Sequence, residues 1–211
     1  MDRPPVNPEK PKTAWHDAIM AERSLGNIGH DHSTSYLNKP LDKYVMYEQR
    51  ENCLVLGDAS HVVTKGLVEK KFFEHAVVVD SDPLVLDDYL FGKDDGRFTK
   101  IMSDFMDYIP PEDTFNFVYG KSVAFIPKEK ISEFLSRIYK CLKKQGIFCS
   151  VLVGEKDTFR QVHYTKKEIE DLYKESNLHI LDLEERPARK NIGLTSPGVV
   201  HEFVVVAKKG E

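Results

Sequence analysis

From Cys53 onward the chain alternates short uninterrupted apolar runs with segments whose apolar residues recur at helical spacing. CLVLG ends at Gly57 and AVVVD ends at Asp80. Neither run has a polar side to turn toward water, which is the pattern of parallel strands covered on both faces. FTKIMS up to Asp104, FNFVYG at 115–120 and GIFCSVLVG from Gly146 continue the series as third, fourth and fifth strands.

The intervening segments read as crossover helices. KGLVEKKFFEH is the first, and Asp82 as N-cap with Pro83 at the first helical position opens the second. PKEKISEFLSRIYKCLKKQG spaces Ile131, Phe134, Leu135, Ile138 and Leu142 along one helical face, with Gly146 placed as a C-terminal cap. Thr165 and Glu168 form a capping box for TKKEIEDLYKESN, which turns Ile169, Leu172 and Tyr173 inward. Only a loop separates LHILDLEERP from VVHEFVVVAKK, so these two strands are expected to be antiparallel neighbours. The sum is an α/β fold: a mostly parallel seven-stranded sheet with helices on both faces and an antiparallel C-terminal strand pair.

Three parts are expected along the chain. Residues 1–12 hold four of the eleven prolines and almost no apolar residue, a disordered Pro-rich arm. Residues 13–50 form an N-terminal helical cap. It comprises a helix capped by Thr13, with Trp15, Ala18 and Ile19 on one face, and a second from about Pro40 to Glu48 with Leu41, Tyr44 and Val45 inward. Residues 51–211 are the α/β domain, and 41% hydrophobic content is enough for one core of this size.

Composition narrows the partners. Thirty basic against thirty-four acidic residues give a net charge of −4, without the basic field of a general nucleic-acid binder. The three cysteines make no CxxC pair and no zinc spacing, and the N-terminus has no apolar leader. No stretch approaches the ~20 apolar residues of a membrane span. A cytoplasmic protein with buried, reduced thiols and no membrane association is expected.

Ligands of open parallel sheets bind beyond the carboxyl ends of the strands. The residues there are Gly57-Asp58-Ala59, Asp80-Ser81-Asp82, Asp104-Phe105 and Tyr119-Gly120-Lys121-Ser122. Asp80 lies 23 positions after Gly57, near the ~20-residue offset at which an acid reaches ribose hydroxyls. A nicotinamide G-x-G-x-x-G loop would need glycine where Ala59 and Val62 stand.

At these residues the chain resembles the class I S-adenosylmethionine-dependent methyltransferases. VVVDSDPL looks like their ribose segment, SDFMDYIPPEDTFNFVYG like their acid, turn and fourth strand, and CLKKQGIF like their "LKPGG" turn. The resemblance spans roughly Tyr44 to Lys208 and rests on the order of several segments. It implies a Rossmann-like sheet and S-adenosylmethionine as cofactor. Asp80, with Ser81 beside it, would hold the ribose and Asp104 the adenine amino group, with Phe105 flanking the ring. Gly57, Asp58 and Ala59 would pass the methionine part, and Tyr119 would lie near the methyl group.

The first motif departs from the family. Val55 stands where the family has an acid, and Ala59 and His61 stand where it commonly has glycines. Asp58 either replaces the missing carboxylate or caps the following helix. Asn116 replaces a common acid on the fourth strand.

In GHDH, His30 and His32 flank Asp31 without a third ligand at a diagnostic spacing, so no metal site is expected. The segment precedes the core where the family often grows a substrate lid, and His30, His32 and Tyr36 are therefore substrate-side candidates. Tyr119, His30 and His32 are the catalytic candidates.

Two functions follow. One is methyl transfer to an acceptor that the acidic balance favours as a small molecule over nucleic acid. The other is a catalytically inactive methyltransferase-like domain that binds or scaffolds a protein partner.

Overall fold

The computed structural model describes residues 41–45, 50–57, 67, 72–81, 86, 96–120, 122–158, 160–191 and 198–210. All fall in the unit Asp31–Glu211. The expected helix at Thr13, with Trp15, and the helix start at Asp82-Pro83 lie outside the described residues.

Seven strands form one sheet: β1 Asn52–Leu56, β2 His75–Asp80, β3 Phe98–Met102, β4 Phe115–Gly120, β5 Leu142–Val153, β6 Leu178–Asn191 and β7 Gly198–Lys209. The order is β3-β2-β1-β4-β5-β7-β6. β1 to β5 pair in parallel, while β7 runs antiparallel between β5 and β6. The sheet expected from the apolar runs and the loop-linked terminal pair is therefore present. Strand order reverses between β1 and β4, where the chain leaves one half of the sheet for the other.

The uninterrupted runs are explained by period-two alternation between two covered faces. Leu54, Leu56, Val79, Val118, Phe148 and Leu152 face one cluster, together with Ile131, Phe134, Leu135, Ile169 and Tyr173. Cys53, Val55, Val78, Phe117, Tyr119 and Cys149 face the other, together with Leu41, Val45, Leu67 and Phe73. Leu41 and Val45 thus share a core with the sheet, and Arg50 donates to the carbonyls of both.

Two helices are described in full. α1, Lys128–Cys141, buries Ile131, Phe134, Leu135, Ile138 and Cys141 and follows Pro127. α2, Lys166–Glu175, carries the expected capping box in full: Thr165 accepts from Glu168 N while the Glu168 side chain accepts from Thr165 N. The hydroxyl of Tyr173 reaches down to Ser150 Oγ on β5 at 2.5 Å, which satisfies the one polar side chain buried along that strand's face.

Several boundaries differ from expectation: Val45 is already outside the helix expected to reach Glu48, β6 runs on to Asn191 past the expected LHILDLEERP, and two further differences have a visible cause. The first crossover helix was expected to continue to His75, but residues 72–74 are non-helical and β2 begins at His75. Phe73 is drawn into the core instead, stacked on Phe117 with ring centroids 5.5 Å apart. Gly146 was expected to cap α1. The helix ends earlier, at Cys141, Leu142 is already extended, and Gln145 takes the left-handed conformation at φ 67. Gly146 lies inside β5, where the backbone rather than the helix end requires it: a Cβ there would sit 2.8 Å from Lys143 O and 3.0 Å from Phe115 O. Gly146→Ala should therefore cost about 1–3 kcal/mol by overpacking, read from urea denaturation.

Cys53, Cys141 and Cys149 are buried and free. Burial pushes all three thiols up, Cys141 and Cys149 to about 12. The unfolded thiols titrate near ~8.5, so folding favours the protonated form and its contribution is complete below that pH and lost as pH rises. Thiol reagents at pH 8 should label none of the three until denaturant is added, and the urea midpoint should fall as pH rises from ~8.5, the unfolded value, toward the folded value of about 12.

Candidate functional site

The carboxyl ends of the parallel strands carry the polar residues because the strands have no room for them elsewhere. Gly57 follows β1 and donates its N–H to Val79 O at 2.8 Å, so it lies level with Asp80 across the β1–β2 pair. Its φ is 69, a left-handed value that glycine adopts without the cost a Cβ would add. Asp80 ends β2 and is 8% exposed, an acid withdrawn from bulk water at the mouth of the sheet. Ser81 follows as an exposed bend.

Asp104 lies two residues past the end of β3 and is exposed. Its Oδ1 accepts from Met106 N at 2.8 Å and its carbonyl accepts from Asp107 N and Tyr108 N. It therefore organises a tight turn. Phe105, half-buried in that turn, meets Phe134 of α1 edge-on with centroids 6.1 Å apart. Tyr119 is 2% exposed on β4, paired in register with Val55 and Cys149. Gly57, Asp80, Ser81 and the Asp104 turn are thus gathered at one end of the sheet, with Tyr119 one layer beneath. Asp58, Ala59, His61, His30, His32 and Tyr36 lie outside the described residues.

Sequence reasoning missed the region past β4 and β5. A 3-10 turn, Ser122–Phe125, follows β4, and residues 155–164 follow β5. Between them lies an open groove of about 850 Å³ walled by Phe125, Pro127 and Lys128 on one side and Arg160, Val162 and His163 on the other. Phe125 is 52% exposed there. Lys128 pairs with Glu168 at 2.8 Å and lies over the Tyr164 ring.

The second wall is tied to β7 by a buried polar cluster. Asp157 accepts from Arg160 N, from an Arg160 guanidinium nitrogen at 2.5 Å and from His201 N at 3.1 Å. Arg160 also reaches Glu202 at 3.0 Å. His201 Nδ1 accepts from Lys156 N, which leaves the proton on Nε2 to donate to Glu185. Gly154 is required beneath it, since a Cβ would run into the His201 ring. The contacts to β7 from Lys156, Asp157 and Arg160 join residues more than forty apart, the His201–Glu185 contact spans sixteen, and only the Asp157/Arg160 spacing of three was available as a local signal.

Among the described residues no group of three or more His, Cys, Asp or Glu is placed to hold a metal ion. Among them, too, no helix is long and apolar enough to cross a membrane.

No protein-family model and no curated protein matches the sequence. Solved structures do match. A Haloferax volcanii chain described as a methyltransferase, in complex with the Trm112 methyltransferase activator, aligns with TM-score 0.70 at 13% identity, over 92% of this chain and 97% of that one. The Burkholderia thailandensis 1,6-didemethyltoxoflavin N1-methyltransferase, with its acceptor and S-adenosylhomocysteine, aligns with TM-score 0.62 at 16% identity over 100% and 94%. A Haemonchus contortus phosphoethanolamine N-methyltransferase, with phosphomonomethylethanolamine and S-adenosylhomocysteine, gives 0.72 at 13% over 95% of this chain and 59% of its own. The fold is that of the S-adenosylmethionine-dependent methyltransferases.

Removing the acid at the centre of the polar cluster should be costly whatever the groove binds. Asp157→Ala leaves Arg160 with Glu202 as its remaining carboxylate and His201 N without its acceptor, and should lower stability by about 3 kcal/mol in urea denaturation.

Proposed function

We propose that this chain is an S-adenosylmethionine-dependent methyltransferase acting on a small-molecule acceptor. The observation that carries the proposal is the pairing, at the mouth of the sheet, of a left-handed Gly57 with the withdrawn carboxylate of Asp80. The fold alone would not suffice, because one fold hosts many functions.

The donor set fits the cofactor. Asp80 offers two carboxylate oxygens, enough to accept from both hydroxyls of one ribose. Gly57, lacking a Cβ, lets backbone approach a ligand closely. Ser81 follows Asp80 in the sequence as Asp58 and Ala59 follow Gly57, and these residues would line the ribose and the methionine chain. The Asp104 turn would face the adenine, with Oδ1 engaged by Met106 N and Oδ2 the remaining acceptor.

S-adenosylmethionine, when bound, supplies a methyl group already activated by its sulfonium. The protein's own work is to align an acceptor and keep water out. The groove beyond β4 and β5 is the candidate place for the acceptor: its volume falls in the ~300–1,000 Å³ range of ligand sites. Its lining joins the apolar Phe125, Pro127 and Val162 to the polar His163 and Lys128. Two of the structural neighbours carry small acceptors, which supports the same acceptor class. A hydroxyl or protonated amine acceptor would need a base, for which Tyr119, His30 and His32 are the candidates.

One observation favours a second reading, a binding or scaffolding domain without catalysis. Val55 is fully buried and apolar at the position where the resemblance implies a carboxylate.

Calorimetric titration separates the two. S-adenosylmethionine or S-adenosylhomocysteine should bind, and Asp80→Ala should weaken binding by about 10- to 100-fold, the loss of hydrogen bonds to a charged group. Absence of heat with both ligands at high concentration would leave only the scaffolding reading.

A further inference from the structure

Arg137 is the residue on α1 that has no explanation in the helix itself. It lies beside Phe134 and Ile138 on the shoulder of the buried face, and its guanidinium leaves the helix to reach the turn that follows β3. One terminal nitrogen donates to Met106 O at 2.5 Å and lies 3.4 Å from Tyr108 O. The other lies 3.9 Å from the Met106 sulfur. The guanidinium carbon sits 6.0 Å from the Phe134 ring centre, and Phe134 in turn supports Phe105.

The turn is therefore held from both ends of its hydrogen-bonding capacity. From within, Asp104 Oδ1 takes the Met106 N–H and Asp104 O takes the N–H groups of Asp107 and Tyr108. From outside, Arg137 takes the outward carbonyls of Met106 and Tyr108, charged contacts stronger than neutral ones. Arg137 Nε is buried and has no hydrogen-bond partner among the described residues, so this side chain sits where part of its polar capacity is forfeited. A helix surface needing only solubility would leave such a group in water.

We propose that Arg137 is a positioning residue for cofactor recognition: it fixes the Asp104–Tyr108 turn in the shape that presents Asp104 to the amino group of adenine. The proposal rests on the cofactor reading above and adds the residue that sets base selectivity. The physical logic is preorganisation. With Oδ1 committed to Met106 N, the direction of Oδ2 follows the turn, and the turn follows the two carbonyls that Arg137 holds. Without the guanidinium the carbonyls are free to rotate to water, and Asp104 is no longer aimed at one place.

Base selectivity distinguishes this role from general stabilisation. S-inosylhomocysteine carries an exocyclic carbonyl oxygen, an acceptor, where S-adenosylhomocysteine carries a donating amino group, so a carboxylate fixed at that place accepts from the second and repels the oxygen of the first. Calorimetry on the full chain with both ligands should show wild type preferring the adenosyl form by more than about tenfold. Arg137→Met should bring that preference below about threefold, chiefly by weakening the adenosyl ligand, with thermal unfolding recorded alongside. Equal loss for both ligands, or an unchanged preference, would overturn the proposal. Should Arg137→Met not fold, Arg137→Lys decides: it keeps the charge but not the fork, and an intermediate preference is expected, with wild-type preference overturning the proposal. Wild type binding both ligands equally removes Asp104 as the base reader and the proposal with it. Wild type binding neither removes the cofactor reading itself.

Discussion

Burial on both faces is the constraint from which the rest of this structure follows. A strand covered on two sides has no position along its length for a polar side chain that lacks a partner. β1 and β2 accordingly read as unbroken apolar runs over Cys53–Leu56 and Ala76–Val79, β4 breaks its run only at the half-buried Asn116, whose side chain accepts from Asn52 N, and β5 admits Ser150 with Tyr173 bonded to it. Polar chemistry is displaced to the strand ends, and the parallel direction of β1 to β5 collects those ends on one side. Strand order reverses between β1 and β4, the place at which open sheets of this kind bind ligands. Gly57, Asp80 and the Asp104 turn are neighbours because the sheet leaves them nowhere else to be.

The same constraint separates what could be read from the sequence from what could not. Apolar runs fixed by two-sided burial give strand positions to within about a residue, as at Cys53–Leu56 and Ala76–Asp80. The Thr165 capping box was legible because its bonds close within one helical turn. Gly146 was misread because a glycine after lysines is equally the mark of a helix end and of a crowded backbone, and only the neighbouring Phe115 and Lys143 carbonyls decide between them. Phe73 likewise left its helical pattern for a partner, Phe117, that is distant in sequence.

The site was legible only in its strand-end part. Asp80 stands out by its place after VVV, and Asp104 by its place after β3. The cluster of Asp157, Arg160, His201 and Glu202 was invisible because its contacts join residues on opposite sides of β6. Arg137 carries no local signal, since nothing near it in the sequence announces that it reaches two carbonyls some thirty residues earlier. Residues of this kind hold loops in place, and their signal is three-dimensional: a charged side chain spent on backbone acceptors of a loop that bears a candidate ligand group.

Gly57 and Asp80 are proposed here as the methionine and ribose contacts of a methyl-donor site. The most direct measurement is a crystal structure grown with S-adenosylhomocysteine. The account predicts both ribose hydroxyls within hydrogen-bonding distance of the Asp80 carboxylate, the backbone of Gly57 against the ligand, and the adenine beside the Asp104 turn. A ligand bound elsewhere, or none beside Asp80 at saturating concentration with the strand ends well ordered, would contradict it.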